Sequence, residues 1–259
     1  MIRRAEQMKT VGERVGRPLL VAVAHAYKAQ ALCRRERNID IKAAHRELML
    51  VPKNSEWFEI ALVTRLRAKV LRRQGRVKEA LSLCEGAQQT VELCERDDAL
   101  YYLERVKLYR YIGVLHSKLA EELENGQDRD EHLTRAAEYF EKCEGALSPL
   151  EAELPREGRV EAMLLAFARA RHYELRAEFG RSFEEAKKAL DCALKSNETD
   201  YVAKVRMFLV HMAIVLKDED EASSRLGELM PVREWKAGPL ARYYERWITG
   251  HKDKIAQIM

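Results

Sequence analysis

The sequence predicts an all-α protein of stacked helical hairpins, and three observations carry that prediction. Apolar residues at 77, 80, 81, 84, 87, 91 and 94 keep a 3.6-residue period, the stripe of an amphipathic helix. The six prolines stand at 18, 52, 149, 155, 231 and 239, where helical patterns start or stop, as suits a residue that breaks helix interiors. No segment alternates apolar and polar residues like a half-buried strand. One such hairpin cannot bury its apolar face alone. A series of them stacks into a solenoid with a concave surface.

Residues 1–17 are polar and read as an amino-terminal arm or short helix, with Gly12 and Gly16 isolated in it. Pro18 opens an apolar helix to about Arg37, and Ile39 to Val51 returns. Ser55 after Pro52-Lys53-Asn54 fits an N-cap, with Glu56 and Glu59 following in the first turns. That helix runs to Gln74, Gly75 turns the chain, and the partner helix spans Arg76 to about Glu95. A third hairpin starts near Asp98, reaches about Leu123, and returns over Leu133 to Leu147. Between its arms, Glu124 to Glu131 reads as an acidic, mobile insert. Pro149 and Pro155 bracket a linker. The fourth hairpin pairs about 158–179 with 183–195 through a turn at Gly180; the fifth pairs about 200–216 with 219–230. Gly238-Pro239 opens a last helix bearing Tyr243, Tyr244 and Trp247. The expected organisation is therefore an arm (1–17), a repeat domain (18–230), and a capping helix with tail (231–259). One alanine on each return helix, at 44, 80, 136, 186 and 222, marks the repeat.

Charge is uneven along the chain. Residues 1–80 carry 19 Lys and Arg against 8 Asp and Glu, net +11, while residues 81–259 carry 27 against 34, net −7. A basic first third calls for an acidic partner, and the acidic remainder argues against a general nucleic-acid coat. The five cysteines, an odd number without close pairing, read as small buried hydrophobes in a reducing, cytoplasmic setting. The longest apolar run, Leu19 to Ala24, is far too short to span a membrane.

Ala68, Leu71, Gly75, Val77, Ala80 and Ala87 resemble the small-residue and turn positions of a tetratricopeptide repeat. Gly113, Ala136 and Phe140 resemble a second, interrupted copy. Ala170-Arg171-His172-Tyr173 with Phe183, Ala186, Leu190 and Ala193 resembles a third. The Trp-Leu-Gly signature is missing, and Cys84 stands where a large aromatic is usual. The resemblance implies a right-handed superhelix of about five hairpins, in which the first helix of each hairpin lines a concave groove. It places Arg65, Lys69, Arg72 and Arg73 on that groove, and Lys107, Arg110 and Lys118 at equivalent places in the next hairpin, with Lys28 and Arg35 as candidates to extend the strip. Spacing agrees, since steps of three and four put 65, 69, 72 and 73 on one helix face. Two readings stand for this strip: a ligand groove suited to carboxylates or phosphates, or a solvated face paired with Glu79 and other acidic groups.

No Gly-rich phosphate loop, His-Glu-x-x-His or paired Cys-x-x-Cys occurs, so no cofactor, metal or catalytic constellation is expected. His116 and His172 fall on packing faces. Asp218-Glu219-Asp220-Glu221 has the charge but not the spacing of a calcium loop, and reads as a helix start. Tyr101-Tyr102 and the carboxy-terminal aromatics are either core or partner anchors. The expected function is a non-catalytic adaptor or scaffold binding an acidic peptide or protein segment. A ligand-sensing regulatory domain and a nucleic-acid binder are the alternatives.

Overall fold

In a computed structural model the protein is all-α. It describes residues 2–33, 38–50, 57–94 and 98–229, and among these there are eleven helices and no strand. In order they are α1 (Ile2–Arg14), α2 (Pro18–Cys33), α3 (Asn38–Met49), α4 (Trp57–Arg73), α5 (Val77–Glu92), α6 (Ala99–Glu122), α7 (Gln127–Glu153), α8 (Pro155–Leu175), α9 (Phe179–Lys195), α10 (Thr199–Leu216) and α11 (Glu219–Leu229). The chain forms two compact units, Met1–Ala146 and Leu147–Met259. No helix among the described residues is long and apolar enough to cross a membrane. The linker at 52–54, the Ser55 cap, Arg35 and the aromatic helix around Trp247 lie outside the described residues.

In the first unit α2, α4 and α6 pack one on the next, and α3 and α5 return against them. Two apolar clusters of the described residues run through it. One joins Ala22, Ala26 and Ala29 of α2 to Ala44 and Leu48 of α3 and Leu66 and Val70 of α4. The other joins Ala68 of α4, Ala80 and Cys84 of α5, and Leu108, Ile112 and Leu115 of α6. In the second unit Ala170 of α8, Ala186 and Ala189 of α9, and Val205, Leu209 and Met212 of α10 make the equivalent core. The five alanines that mark the repeat in sequence are all buried, four at 0% exposure and Ala222 at 1%. Small side chains let helix backbones approach. At Gly113 the missing side chain admits a ring instead: an added Cβ would stand 2.5 Å from Phe140 of α7.

Several boundaries differ from expectation. The amino-terminal arm is helix α1, packed on α2 through Ala5 and Gly12; a Cβ on Gly12 would stand 2.9 Å from Val21. The acidic insert shrinks to the connection 123–126, because Asp128 and Asp130 lie in the first turn of α7, where the helix dipole favours negative charge. Pro149 does not end a helix. Cys143, Ala146, Leu147 and Leu150 continue one buried stripe across it, and α7 runs to Glu153. The fourth turn sits at Ala177, with Gly180 already inside α9. Asp218 starts α11 as read, its Oδ1 accepting from the Glu221 amide at 3.0 Å.

Candidate functional site

The basic strip of α4 meets α6 inside the first unit. On α6 the facing residues are Glu104, Lys107 and Tyr111, which share one side of the helix by their three- and four-residue steps. Arg65 is 4% exposed and donates from Nη2 to Glu104 Oε2 at 3.1 Å. Lys107 Nζ donates to Glu104 Oε1 at 2.9 Å. Burial alone would push the Glu104 carboxyl up, but Arg65 and Lys107 outweigh it and hold that group below its ordinary range. Arg65 is therefore not the open groove side chain that its spacing suggests. A guanidinium without a counter-charge could not stay so deep, and Glu104 supplies it.

The rest of the strip is closer to the surface. Lys69 Nζ and Arg72 Cζ lie 5.9 and 5.7 Å from the centroid of the Tyr111 ring, within cation–π range. Arg72 is half-buried and Arg73 exposed. Tyr111 is 4% exposed, and among the described residues both its hydroxyl and Arg72 Nε are buried without a hydrogen-bond partner. Burial drives the Tyr111 phenol well above its ordinary range, so it stays a neutral donor. Cys84 beside this cluster is pushed up to about 12 by burial, an inert thiol. The face thus holds two adjoining groups, Arg65 and Lys107 on the Glu104 carboxylate and Lys69 and Arg72 over the Tyr111 ring.

The remaining predicted residues are placed otherwise. Arg110 is half-buried on α6. Lys118 is held by its own helix, 2.8 Å from Glu121 and 3.9 Å from Glu122. Lys28 sits 2.8 Å from Glu47 of α3 and 3.6 Å from Glu6 of α1. Glu79, the carboxylate expected to neutralise the strip, instead pairs with Arg76 at 2.5 Å. Sequence reasoning missed Glu104 and Tyr111. Their spacing from Lys107, three and four residues, was the signal available.

No family model matches the chain, and no curated protein matches it. Among solved structures the chain is similar to BtubC (BKLC) from P. vanneervenii, with a TM-score of 0.61 and 13% identity over 92% of this chain and 93% of that one. At that identity the likeness concerns the helical fold alone.

Proposed function

We propose that the protein is a non-catalytic interaction module that takes an acidic segment of a partner protein along the α4–α6 face. The observation that carries this reading is a pair of buried, unsatisfied donors on that face. Tyr111 OH and Arg72 Nε are buried without a hydrogen-bond acceptor among the described residues, and Lys69 lies with Arg72 over the Tyr111 ring, next to the Arg65–Glu104–Lys107 cluster. An unsatisfied buried donor costs about 1–3 kcal/mol, so an incoming carboxylate recovers that cost as well as Coulomb energy. Arginine offers such a group a bidentate fork. The tetratricopeptide-like hairpins give the face a rigid frame, and the acidic remainder of the chain disfavours wrapping by nucleic acid.

The test is fluorescence anisotropy with a labelled peptide alternating Glu and Leu, against its Gln counterpart. Lys69→Glu with Arg72→Glu should weaken the Glu peptide by about a hundredfold or more, at about 1.5–3 kcal/mol for each charge-assisted contact. Arg65 is the wrong place to probe, because a substitution there strips Glu104 of its partner and destabilises the fold. Equal binding of both peptides, or no effect of the double variant, removes the proposal. A single-stranded oligonucleotide that displaces the peptide with a steep salt dependence transfers the face to nucleic acid.

A further inference from the structure

The opposite side of α6 carries a different chemistry. Residues two apart on a helix point nearly opposite ways, so Tyr101, Arg105 and Tyr109 turn away from the Lys107–Tyr111 side. With Tyr102 of α6, Glu92 at the end of α5, and Lys142, Gly145 and Ala146 of α7, Arg105 and Tyr109 line a cavity of about 300 Å³. That size is the lower end of small-molecule sites. Nothing in the α4–α6 reading uses it.

The charged groups in the cavity are not equally available. Glu92 accepts from Tyr109 OH at 2.9 Å and from Gln88 Nε2 at 2.8 Å, so its carboxylate is already engaged. Gln88 Oε1 in turn accepts from Tyr139 OH at 2.7 Å. Arg105 has the reverse condition. Its guanidinium is clamped between the rings of Tyr101 and Tyr109, at 5.1 and 5.5 Å from their centroids. Among the described residues it makes one hydrogen bond, Nη2 to Tyr109 OH at 3.2 Å, and its Nε is buried without a partner. Five donors in a fixed fork, with one used among the described residues, form a site made ready for a planar acid. Lys142 Nζ, held 5.1 Å from the Tyr139 ring centroid, adds a second positive charge at the rim. Gly145 keeps the wall open: a Cβ there would meet nothing within 4 Å.

We propose that this cavity binds a small organic carboxylate with a compact aromatic body, its acid group on Arg105 and Lys142 and its ring beside Tyr102 and Tyr109. The Tyr walls favour a flat apolar body over an aliphatic one, by edge and offset stacking. The two cations select the acid over its neutral amide.

Phenylacetate and phenylacetamide serve as probes, titrated into ¹⁵N-labelled full-length protein. Phenylacetate should shift the Gly145 and Ala146 amides saturably, and phenylacetamide should bind at least tenfold more weakly. Lys142→Gln, at an exposed position, should lower phenylacetate affinity several-fold while the thermal midpoint stays put. Gly145→Phe, which fills the cavity from an open position, should abolish the shifts with the protein still folded. Equal binding of acid and amide, absence of shifts at Gly145, or full binding by Gly145→Phe overturns the proposal. Because Lys69 and Arg72 lie on the other side of α6, their variants should leave phenylacetate binding unchanged.

Discussion

His116 is 5% exposed on α6 and touches titratable groups from both neighbouring helices. Its Nδ1 lies 2.9 Å from Nδ1 of His132 on α7, so one ring donates and the other accepts. Its ring stacks on Tyr139 of α7, and Nε2 is 3.7 Å from Glu85 of α5. Burial, then the charges of His132 and Arg135, push His116 down from 6.5 to about 4. The unfolded chain takes up this proton near 6.5 and the native one only near 4, so in between the unfolded state binds more protons. Stability therefore falls as pH drops through that window and levels off below it. The expected loss from His116 is about 3 kcal/mol at 1.36 kcal/mol for each pH unit between the two values. His172 in the second unit, pushed to about 4 chiefly by burial, adds a loss in the same direction. Denaturant unfolding at pH 7, 5.5 and 4 checks this. His116→Gln should remove a large part of the slope, and an unchanged slope would mean that His116 is protonated in the fold.

Among the described residues five helices close in the same way, and only some of the closures are legible in sequence. α1, α4, α8, α9 and α10 each end with one left-handed residue: Gly16 (φ 62°), Gly75 (78°), Ala177 (57°), Asn197 (54°) and Lys217 (60°). In each, the next amide reaches back five residues, as from Arg76 to Leu71 O at 3.0 Å and from Glu178 to Tyr173 O at 2.9 Å. This is the Schellman closure, which satisfies the orphan carbonyls of the last turn. Non-glycine residues hold that conformation at a cost of about 1–2 kcal/mol. Ala177→Gly and Lys217→Gly should therefore each raise stability by about 0.5–1 kcal/mol, after the extra freedom of glycine in the unfolded chain is deducted. Thermal or urea unfolding reads the change, and a lower midpoint would show that these side chains contribute packing that outweighs their strain. The same pair explains what the sequence hides. Gly75 and Asn197 announce turns by residue type, and periodic alanines announce the packing faces. Ala177 and Lys217 are helix formers by type, so their turns are imposed by tertiary packing. The strip on α4 was visible by spacing. That Arg65 is buried against Glu104 depends on a helix 39 residues away, beyond any local pattern.

At the scale of the molecule, the principal packed helix pairs are neighbours or next neighbours in the chain: α4 with α2, α3, α5 and α6, and α9 with α8 and α10. Leu108 belongs to an apolar cluster of α4, α5 and α6, and Leu209 to one of α8, α9 and α10. In such arrays stability is a sum of hairpin terms and nearest-neighbour interfaces, and it need not be lost all at once. Leu108 in the first unit and Leu209 in the second are both fully buried, at 0% exposure. Truncation to alanine removes equivalent transfer energy and leaves a cavity at either site, about 2–5 kcal/mol. Native-state hydrogen exchange then separates local from global opening. Leu108→Ala should speed exchange across α4, α5 and α6 by more than tenfold, since 1.4 kcal/mol is a factor of ten, and leave α9 and α10 close to their original rates. Leu209→Ala should give the mirror result. Uniform acceleration across both sets of helices by either substitution would mean that the chain opens as one cooperative body, and that the rank order of its hairpins has no bearing on where it first unfolds.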